Sequence, residues 1–285
     1  MTAVTAAPAT ETQVPTDDGA LLAVSVLAPL APATGTTVLL AHGWGASRRV
    51  WSTVADRLIR CGHRVVAYDQ RGHGASSQGR EPFGIARLGS DLAAVLDHVA
   101  SADTLVVGHS GGGFAALSYA SSHASGAGPT GPLGGLVLLG TAAHDQDTPD
   151  GEVRMMGSAL FQRAVSRPAL GRKLLGQNML GPGADRQLRE VNRQMFAATS
   201  PAVRAEAFRS SRGMDLRAAL VSVTAPTVVL AGARDKVVPP RLGRVVAEAL
   251  PRARFEELPD AGHMLPLEAP GAVVSAVHEL TQGRS

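Results

Sequence analysis

Short apolar runs alternate with longer segments of helical periodicity over most of the chain. The clearest runs begin at Thr37, Val65, Leu105 and Thr227, and they are rich in Val, Leu and Ala. Continuous apolar runs bounded by turn residues are typical of strands buried on both faces. Their alternation with helices predicts an α/β fold, in which helices flank a mostly parallel central sheet.

The pattern changes between about residues 144 and 221, where no convincing strand occurs. Apolar positions there recur with helical spacing, as at Val153, Met156 and Leu160, and prolines separate the helical segments. We therefore expect a core formed by residues 15–143 and 222–285 and a helical insertion at 144–221. The first 14 residues are mostly Ala, Thr and Pro, which predicts a flexible tail.

Composition narrows the class of protein. The chain has 285 residues, 45% of them hydrophobic, and no apolar stretch approaches the roughly 20 residues that span a bilayer. We therefore expect no stable membrane insertion. The single cysteine, Cys61, excludes an internal disulfide framework. The N-terminus has no basic segment followed by an apolar one, so a cytoplasmic location is the default prediction.

The charge is unevenly distributed. The net charge is +3, yet residues 153–217 contain 12 Lys and Arg against 4 Asp and Glu. The excess positive charge either attracts anionic ligands or belongs to the solvent-exposed faces of helices, and we favour the second interpretation. No nucleic-acid-binding motif is present, so a nucleic-acid partner is not expected.

The most informative motif surrounds Ser110. The apolar run that starts at Leu105 ends in Gly108-His-Ser-Gly-Gly112 and continues into an alanine-rich helical pattern. A serine between a strand and a helix in Gly-x-Ser-x-Gly is the signature of a nucleophile elbow, in which glycines allow the strand and helix to approach closely. Ser110 is therefore the candidate nucleophile.

Two further residues follow strands in an informative order. Asp235 comes after the run that starts at Thr227, and His263 follows the segment that starts at Phe255. The order Ser, Asp, His, with each residue just beyond a strand, resembles that of the α/β-hydrolase fold family. The resemblance extends from about Val38 to the C-terminus. It implies that residues 144–221 form a helical cap, inserted after the sixth strand.

The chemistry assigns a role to each candidate. A serine hydroxyl needs a base, and the imidazole of His263 suits that role. Asp235 would orient this imidazole and stabilise its charged form. Asp145 and Asp147 remain alternatives for the acid, because some family members place it after the sixth strand.

The expected oxyanion hole consists of two backbone N–H groups. One belongs to Gly111, which follows the nucleophile, and the resemblance indicates Trp44 for the other. We predict a substrate pocket lined by apolar and aromatic residues, and its candidates are Trp44, His109, Met156, Leu160 and Met264.

Together these residues predict a serine hydrolase of the carboxylesterase or lipase type, acting on esters of short to medium acyl chains through an acyl-enzyme. A small-molecule ester and water are the expected reaction partners, and neither a cofactor nor a metal is required. Members of the family with the same machinery include lactonases, C–C bond hydrolases, cofactor-free perhydrolases and slow, receptor-like binding proteins, and these remain alternatives. The sequence does not indicate the oligomeric state.

Overall fold

Eight strands form one sheet in the computed structural model, which describes residues 9–99, 103–126 and 133–282. The strands are β1 (Ala9–Pro15), β2 (Leu21–Leu27), β3 (Thr37–Ala41), β4 (Arg64–Tyr68), β5 (Thr104–His109), β6 (Leu133–Leu139), β7 (Thr227–Gly232) and β8 (Ala253–Leu258). Their order across the sheet is β1-β2-β4-β3-β5-β6-β7-β8. The pairs β1·β2 and β2·β4 are antiparallel and the other five are parallel, so the predicted mostly parallel sheet is confirmed.

Helices connect the strands and cover both faces of the sheet. They are α1 (Ser52–Arg60), α2 (Ile85–Val99), α3 (Gly111–Ala124), α4 (Asp150–Met156), α5 (Ala159–Ser166), α6 (Pro168–Met179), α7 (Arg186–Ala198), α8 (Pro201–Ser210), α9 (Arg217–Leu220), α10 (Pro240–Ala249), α11 (Leu265–Glu268) and α12 (Pro270–Gln282), with a short 3₁₀ helix at Arg48–Trp51. No helix within the described ranges is long and apolar enough to cross a membrane.

The core lies on both sides of the sheet. In β3, Val38 and Leu40 pack with residues of α1 and α12, while Leu39 and Ala41 pack with residues of α2, α3 and α10. Successive side chains of a strand point to opposite faces. Burial of both faces is the physical reason why the inner strands β3 to β7 are mostly apolar runs, whereas the edge strands β1 and β8 are not.

The prediction of a flexible tail over residues 1–14 was wrong for its second half. Residues 1–8 lie outside the described residues, but Ala9–Pro15 forms β1 and pairs with β2 over its whole length. Val14 is buried, and its partner across the strands is Leu22. The β-branched residues Thr10, Thr12 and Val14 occupy every second position of β1, which suits an edge strand. Pro15 is tolerated at the end of such a strand.

Six helices, α4 to α9, separate β6 from β7 and lie within residues 144–221, which we call the helical segment. Its boundaries follow local helix-capping chemistry. The side chains of Ser158, Asp185 and Ser200 accept backbone N–H groups at the first turns of α5, α7 and α8. Pro168 and Pro201 occupy first helical positions, where a proline lacks no needed hydrogen bond.

A buried ion cluster fixes the turn after β4. The guanidinium of Arg71, 1% exposed, donates to Asp91 on α2 at 2.6 and 2.8 Å and to Asp18 between β1 and β2 at 3.0 and 3.1 Å. The Arg71 side chain holds the pKa of Asp18 well below its usual range, while burial raises the pKa of Asp91. The loop that follows β4 is thereby tied to two distant parts of the chain.

Candidate active site

The sequence-predicted residues converge at the carboxyl edge of the parallel strands. Ser110 directly follows β5, Trp44 follows β3, Asp235 follows β7 and His263 follows β8. In open α/β sheets this edge is where ligands bind, because the loops after neighbouring strands meet there.

Ser110 has the backbone geometry of a strained turn. Its φ of 51° and ψ of −118° lie in a region that residues other than glycine rarely occupy. A Cβ on Gly108 would lie 2.6 Å from the carbonyl oxygen of Gly112, and one on Gly112 would overlap the carbonyl oxygen of Ala41. The two glycines therefore permit the close approach that the elbow requires, as expected from the sequence.

His263 and Asp235 form a buried pair. The Nδ1 of His263 lies 2.8 Å from Oδ2 of Asp235, and the exposed fractions of these residues are 3% and 5%. Because a carboxylate only accepts, Nδ1 carries the proton and Nε2 is left as an acceptor. The other oxygen, Oδ1, accepts the backbone N–H groups of Val237 and Val238, both at 2.8 Å.

Two contacts bring this pair next to the serine. The N–H of Ser110 donates to Leu139 at 2.8 Å, and a Cβ on the following Gly140 would lie 3.2 Å from Oδ2 of Asp235 and 3.4 Å from Nδ1 of His263. On the other side, Nε2 of His109 donates to the carbonyl oxygen of His263 at 2.8 Å. The pair of Asp235 and His263 therefore lies beside the elbow that carries Ser110.

The two alternative acids lie elsewhere. Asp145 accepts the backbone N–H groups of Asp147 at 2.9 Å and Gly213 at 2.7 Å, and it thereby closes the base of the helical segment. Asp147 is exposed. Only Asp235, of the three candidates, contacts His263.

The loop after β3 packs directly on the elbow. A Cβ on Gly43 would lie 2.9 Å from Cβ of Ser110, and a Cβ on Gly111 would overlap the indole of Trp44. The indole Nε1 is buried and has no hydrogen-bond partner among the described residues. The N–H of Gly111 is the first of α3, where no acceptor of the helix itself is available. The two predicted oxyanion residues are thus in contact.

Two neutral histidines support this loop from behind. Nε2 of His73 accepts the N–H of Gly45 at 3.1 Å, and Nε2 of His42 accepts the N–H of Gln70 at 3.0 Å. Burial lowers the pKa of His73 to about 3 and also lowers the pKa of His42. Both rings therefore remain neutral acceptors at neutral pH.

The helical segment covers the same loop. A Cβ on Gly45 would lie 2.7 Å from the ring of Phe196 on α7. The ring centroids of Trp44 and Phe208 on α8 are 5.7 Å apart, and those of Trp44 and Phe114 are 5.3 Å apart. An aromatic and apolar layer therefore lies above the elbow.

The residues predicted to line the pocket lie in different environments. Trp44 is half-buried and His109 is buried beside His263, with ring centroids 4.9 Å apart. Leu160 is 77% exposed, which does not support its predicted place in the lining of the substrate pocket. Met156 packs among helices inside the helical segment, and Met264 packs in the core beneath the sheet edge. Helical spacing identified Val153 and Met156 as buried but failed at Leu160, because α4 ends at Met156 and Leu160 belongs to the next helix.

One part of the site was missed entirely. The carbonyl oxygen of Met179, at the end of α6, accepts the N–H of His263 at 2.8 Å. The carboxylate of Glu268 accepts three backbone N–H groups, from Gly181 at 2.6 Å, Gly262 at 3.1 Å and Met264 at 3.0 Å. These bonds fix the histidine loop to the helical segment. The only sequence signal was an acidic residue shortly after His263, and its partners are backbone groups.

A metal centre is not apparent in the described ranges, where no group of three or more His, Cys, Asp or Glu side chains could hold an ion.

Comparison with known proteins agrees with this geometry. A family model described as the alpha/beta hydrolase fold matches residues 36–270. A pimeloyl-[acyl-carrier protein] methyl ester esterase from Chromobacterium violaceum is 31% identical, with 80% of this chain and 87% of the relative covered. A non-heme haloperoxidase from Rhodococcus erythropolis is 27% identical over 81% of this chain and 86% of its own. The solved structure of a thermophilic esterase from Thermogutta terrifontis is similar with a TM-score of 0.78 at 25% identity, covering 96% of this chain and 98% of the esterase.

Proposed function

Because the chain belongs to the α/β hydrolase family, we propose that it is a serine hydrolase that cleaves carboxylic esters of short to medium acyl chains. The observation that carries the proposal is the buried His263–Asp235 pair, 2.8 Å apart, beside the strained Ser110. Esterases occur among its relatives of known name, as the pimeloyl-carrier methyl ester esterase and the Thermogutta terrifontis esterase illustrate.

In the first half of the proposed reaction, the hydroxyl oxygen of Ser110 attacks the ester carbonyl carbon. Nε2 of His263 takes the hydroxyl proton, and Asp235 stabilises the imidazolium through Nδ1–H. Collapse of the tetrahedral intermediate breaks the bond to the alkoxy oxygen, which receives the proton from His263. An acyl-serine and a free alcohol result.

In the second half, water attacks the acyl-serine while His263 again takes a proton. The carboxylic acid leaves and Ser110 recovers its hydrogen. In both halves the carbonyl oxygen becomes negative, and the N–H groups of Gly111 and Trp44 are the proposed donors to it. Each such donor contributes about 3 to 4 kcal/mol to the transition state in a comparable hydrolase.

The substrate class follows from the surroundings of the elbow. Trp44, Phe114, Phe196 and Phe208 form an apolar layer there, which favours an uncharged acyl chain over a charged one. The helical segment supplies two of these rings, so it is the proposed cap over the site.

The direct test is the initial hydrolysis rate on nitrophenyl esters from acetate to palmitate. We expect an optimum at short or medium chains and a loss of at least three orders of magnitude in kcat for Ser110→Ala. Ser121→Ala is the matched control, because Ser121 lies on α3 with its hydroxyl bonded to Leu117 at 2.8 Å. Asp235→Asn should lower kcat by about 10⁴-fold, since the imidazole would adopt the wrong tautomer.

Equal rates in wild type and Ser110→Ala would contradict the proposal. Covalent labelling of Ser110 by a fluorophosphonate without turnover of any ester would retain the nucleophile but reject the ester class. Lactones, C–C bond substrates and perhydrolysis would then be tested next.

A further inference from the structure

A cleft lies beside the turn that contains Asp235, and Ser110 is not among the residues that line it. Its volume is about 760 Å³, and residues of the helical segment form one wall while the turn that contains Asp235 forms the other. Three cationic side chains line it, Arg189 from α7 and Arg234 and Lys236 on either side of Asp235. No Asp or Glu is among the residues that line this cleft.

Two of the cations are held in place by neutral groups. Nε of Arg189 donates to the carbonyl oxygen of Ala184 at 3.0 Å, and its guanidinium lies over Gly176, where a Cβ would overlap it. Nζ of Lys236 donates to the carbonyl oxygen of Gln177 at 2.9 Å. A carbonyl orients a cation without cancelling its charge, so the cleft has fixed, uncompensated positive charges.

Three carboxylates close to the cleft are engaged elsewhere. Glu190 is the only acidic residue of α7, and it is bound by Arg172 at 2.8 Å and Arg193 at 2.6 Å. Asp235 is buried against His263, and Glu268 accepts three backbone N–H groups. In the described part of the chain, none of the three cleft cations forms an ion pair, whereas Arg172 on α6 and Arg193 on α7 both pair with Glu190.

We propose that this cleft binds a small multivalent oxyanion, a ligand with two or more phosphate or carboxylate groups. Guanidinium and ammonium groups together recognise such oxygens through charge-assisted hydrogen bonds. The bound anion would contact Arg189 of the helical segment and Arg234 and Lys236 of the core at once. It would thereby remove the repulsion between like charges and join the two parts.

This site is separate from the proposed ester hydrolysis, so it is tested by binding and stability rather than by turnover. Thermal unfolding and calorimetric titration of the full chain are measured with pyrophosphate, with citrate and with chloride at equal ionic strength. We expect saturable binding and a Tm increase of about 2 °C at ten times Kd, which follows from ligand linkage for a chain of this size.

Charge-removing variants locate the site. Arg189→Gln and Lys236→Gln should each raise Kd at least tenfold. Two such variants are used so that the test remains possible if one of them fails to fold. Arg186→Gln is the matched control, because Arg186 is exposed on the same helix and does not line the cleft; its Kd should equal that of wild type.

Each outcome decides the proposal. Saturation by pyrophosphate alone assigns a phosphate ligand, saturation by citrate alone assigns a polycarboxylate, and saturation by both supports the shared chemistry. A Tm that depends only on ionic strength, or a Kd that is the same in Arg189→Gln, Lys236→Gln and wild type, would overturn it.

Discussion

Glu268 is expected to control activity without touching the reacting atoms. Its Oε2 accepts the N–H groups of Gly181 and Gly262, and its Oε1 accepts that of Met264. Gly262 and Met264 are the two chain neighbours of His263. Loss of this carboxylate therefore releases the backbone on both sides of the proposed base.

The magnitude follows from the three hydrogen bonds. Each backbone N–H left without an acceptor costs about 1 to 3 kcal/mol when water cannot replace it. Glu268 is only partly buried, so water can enter the space left by Glu268→Ala. We therefore expect this substitution to lower the free energy of unfolding by about 2 to 5 kcal/mol in total. Glu268→Gln keeps one oxygen acceptor but places an NH₂ donor against at least one backbone N–H. Its free energy of unfolding should therefore decrease by about half as much as that of Glu268→Ala.

The effect on catalysis comes from misplacement of His263. A displacement of about 1 Å in a catalytic group can cost about 10²-fold in rate. We expect Glu268→Gln to lower kcat on the best nitrophenyl ester by 10- to 100-fold while KM changes less than threefold. Glu268→Asp keeps the charge and should recover part of the rate.

The assay must separate positioning from general destabilisation. Urea unfolding gives the stability of each variant, and kcat is measured well below the unfolding midpoint. Glu190→Gln is the control, because Glu190 also binds several groups but lies on α7 with its partners Arg172 and Arg193. A Glu268→Gln variant with lower stability and wild-type kcat would refute the positioning role, and unchanged stability would refute the hydrogen-bond argument.

Three further predictions concern the surroundings of the site. His73 has a pKa of about 3 in the fold against 6.5 for an ordinary histidine, so the unfolded chain binds more protons between these pH values. The free energy of unfolding should therefore fall as the pH decreases over this range. Urea titrations at pH 6, 5 and 4 should show a decrease that is steeper in wild type than in His73→Gln by about 1 kcal/mol per pH unit. An equal pH dependence in the two proteins would contradict this. Gly111→Ala should reduce ester hydrolysis at least tenfold, because its Cβ overlaps the indole of Trp44, while Gly151→Ala, with nothing within 4 Å, should not; an active Gly111→Ala would show that the indole moves freely. Arg71→Met should lower the free energy of unfolding by about 3 to 5 kcal/mol, because two buried carboxylates lose the guanidinium that bridges them; a loss below 1 kcal/mol in urea titration would argue against this.

The sequence was most informative where function depends on the local backbone. Gly108 and Gly112 predict the elbow because a strand and a helix that approach so closely exclude side chains, and the structure shows both overlaps. The preference for Asp235 over Asp145 also followed from a local motif. In each case the signal and the structural feature lie within a few residues of each other.

Residue spacing was least informative where the partner comes from a distant element. Leu160 belongs to a helical apolar pattern but lies on the surface, and Met156 packs within the helical segment. Helical periodicity indicates which face of an unbroken helix is apolar, but it identifies neither the helix break between Met156 and Ala159 nor the surface against which a face packs. The edge strand β1 was missed for a similar reason, since its pairing with β2 supplies the order that its composition does not predict.

The contacts that sequence could not show share one physical property. The carboxylate of Glu268, the imidazole of His73 and the carbonyl oxygen of Met179 all bond to backbone groups of a loop that contains or adjoins a candidate site residue. A backbone N–H is the same in every residue except proline, so its partner imposes no residue type on the loop. These loops need small residues and correct geometry rather than a recognisable motif. Substitution of the supporting side chains should therefore alter turnover even though no sequence motif identifies them as part of the site.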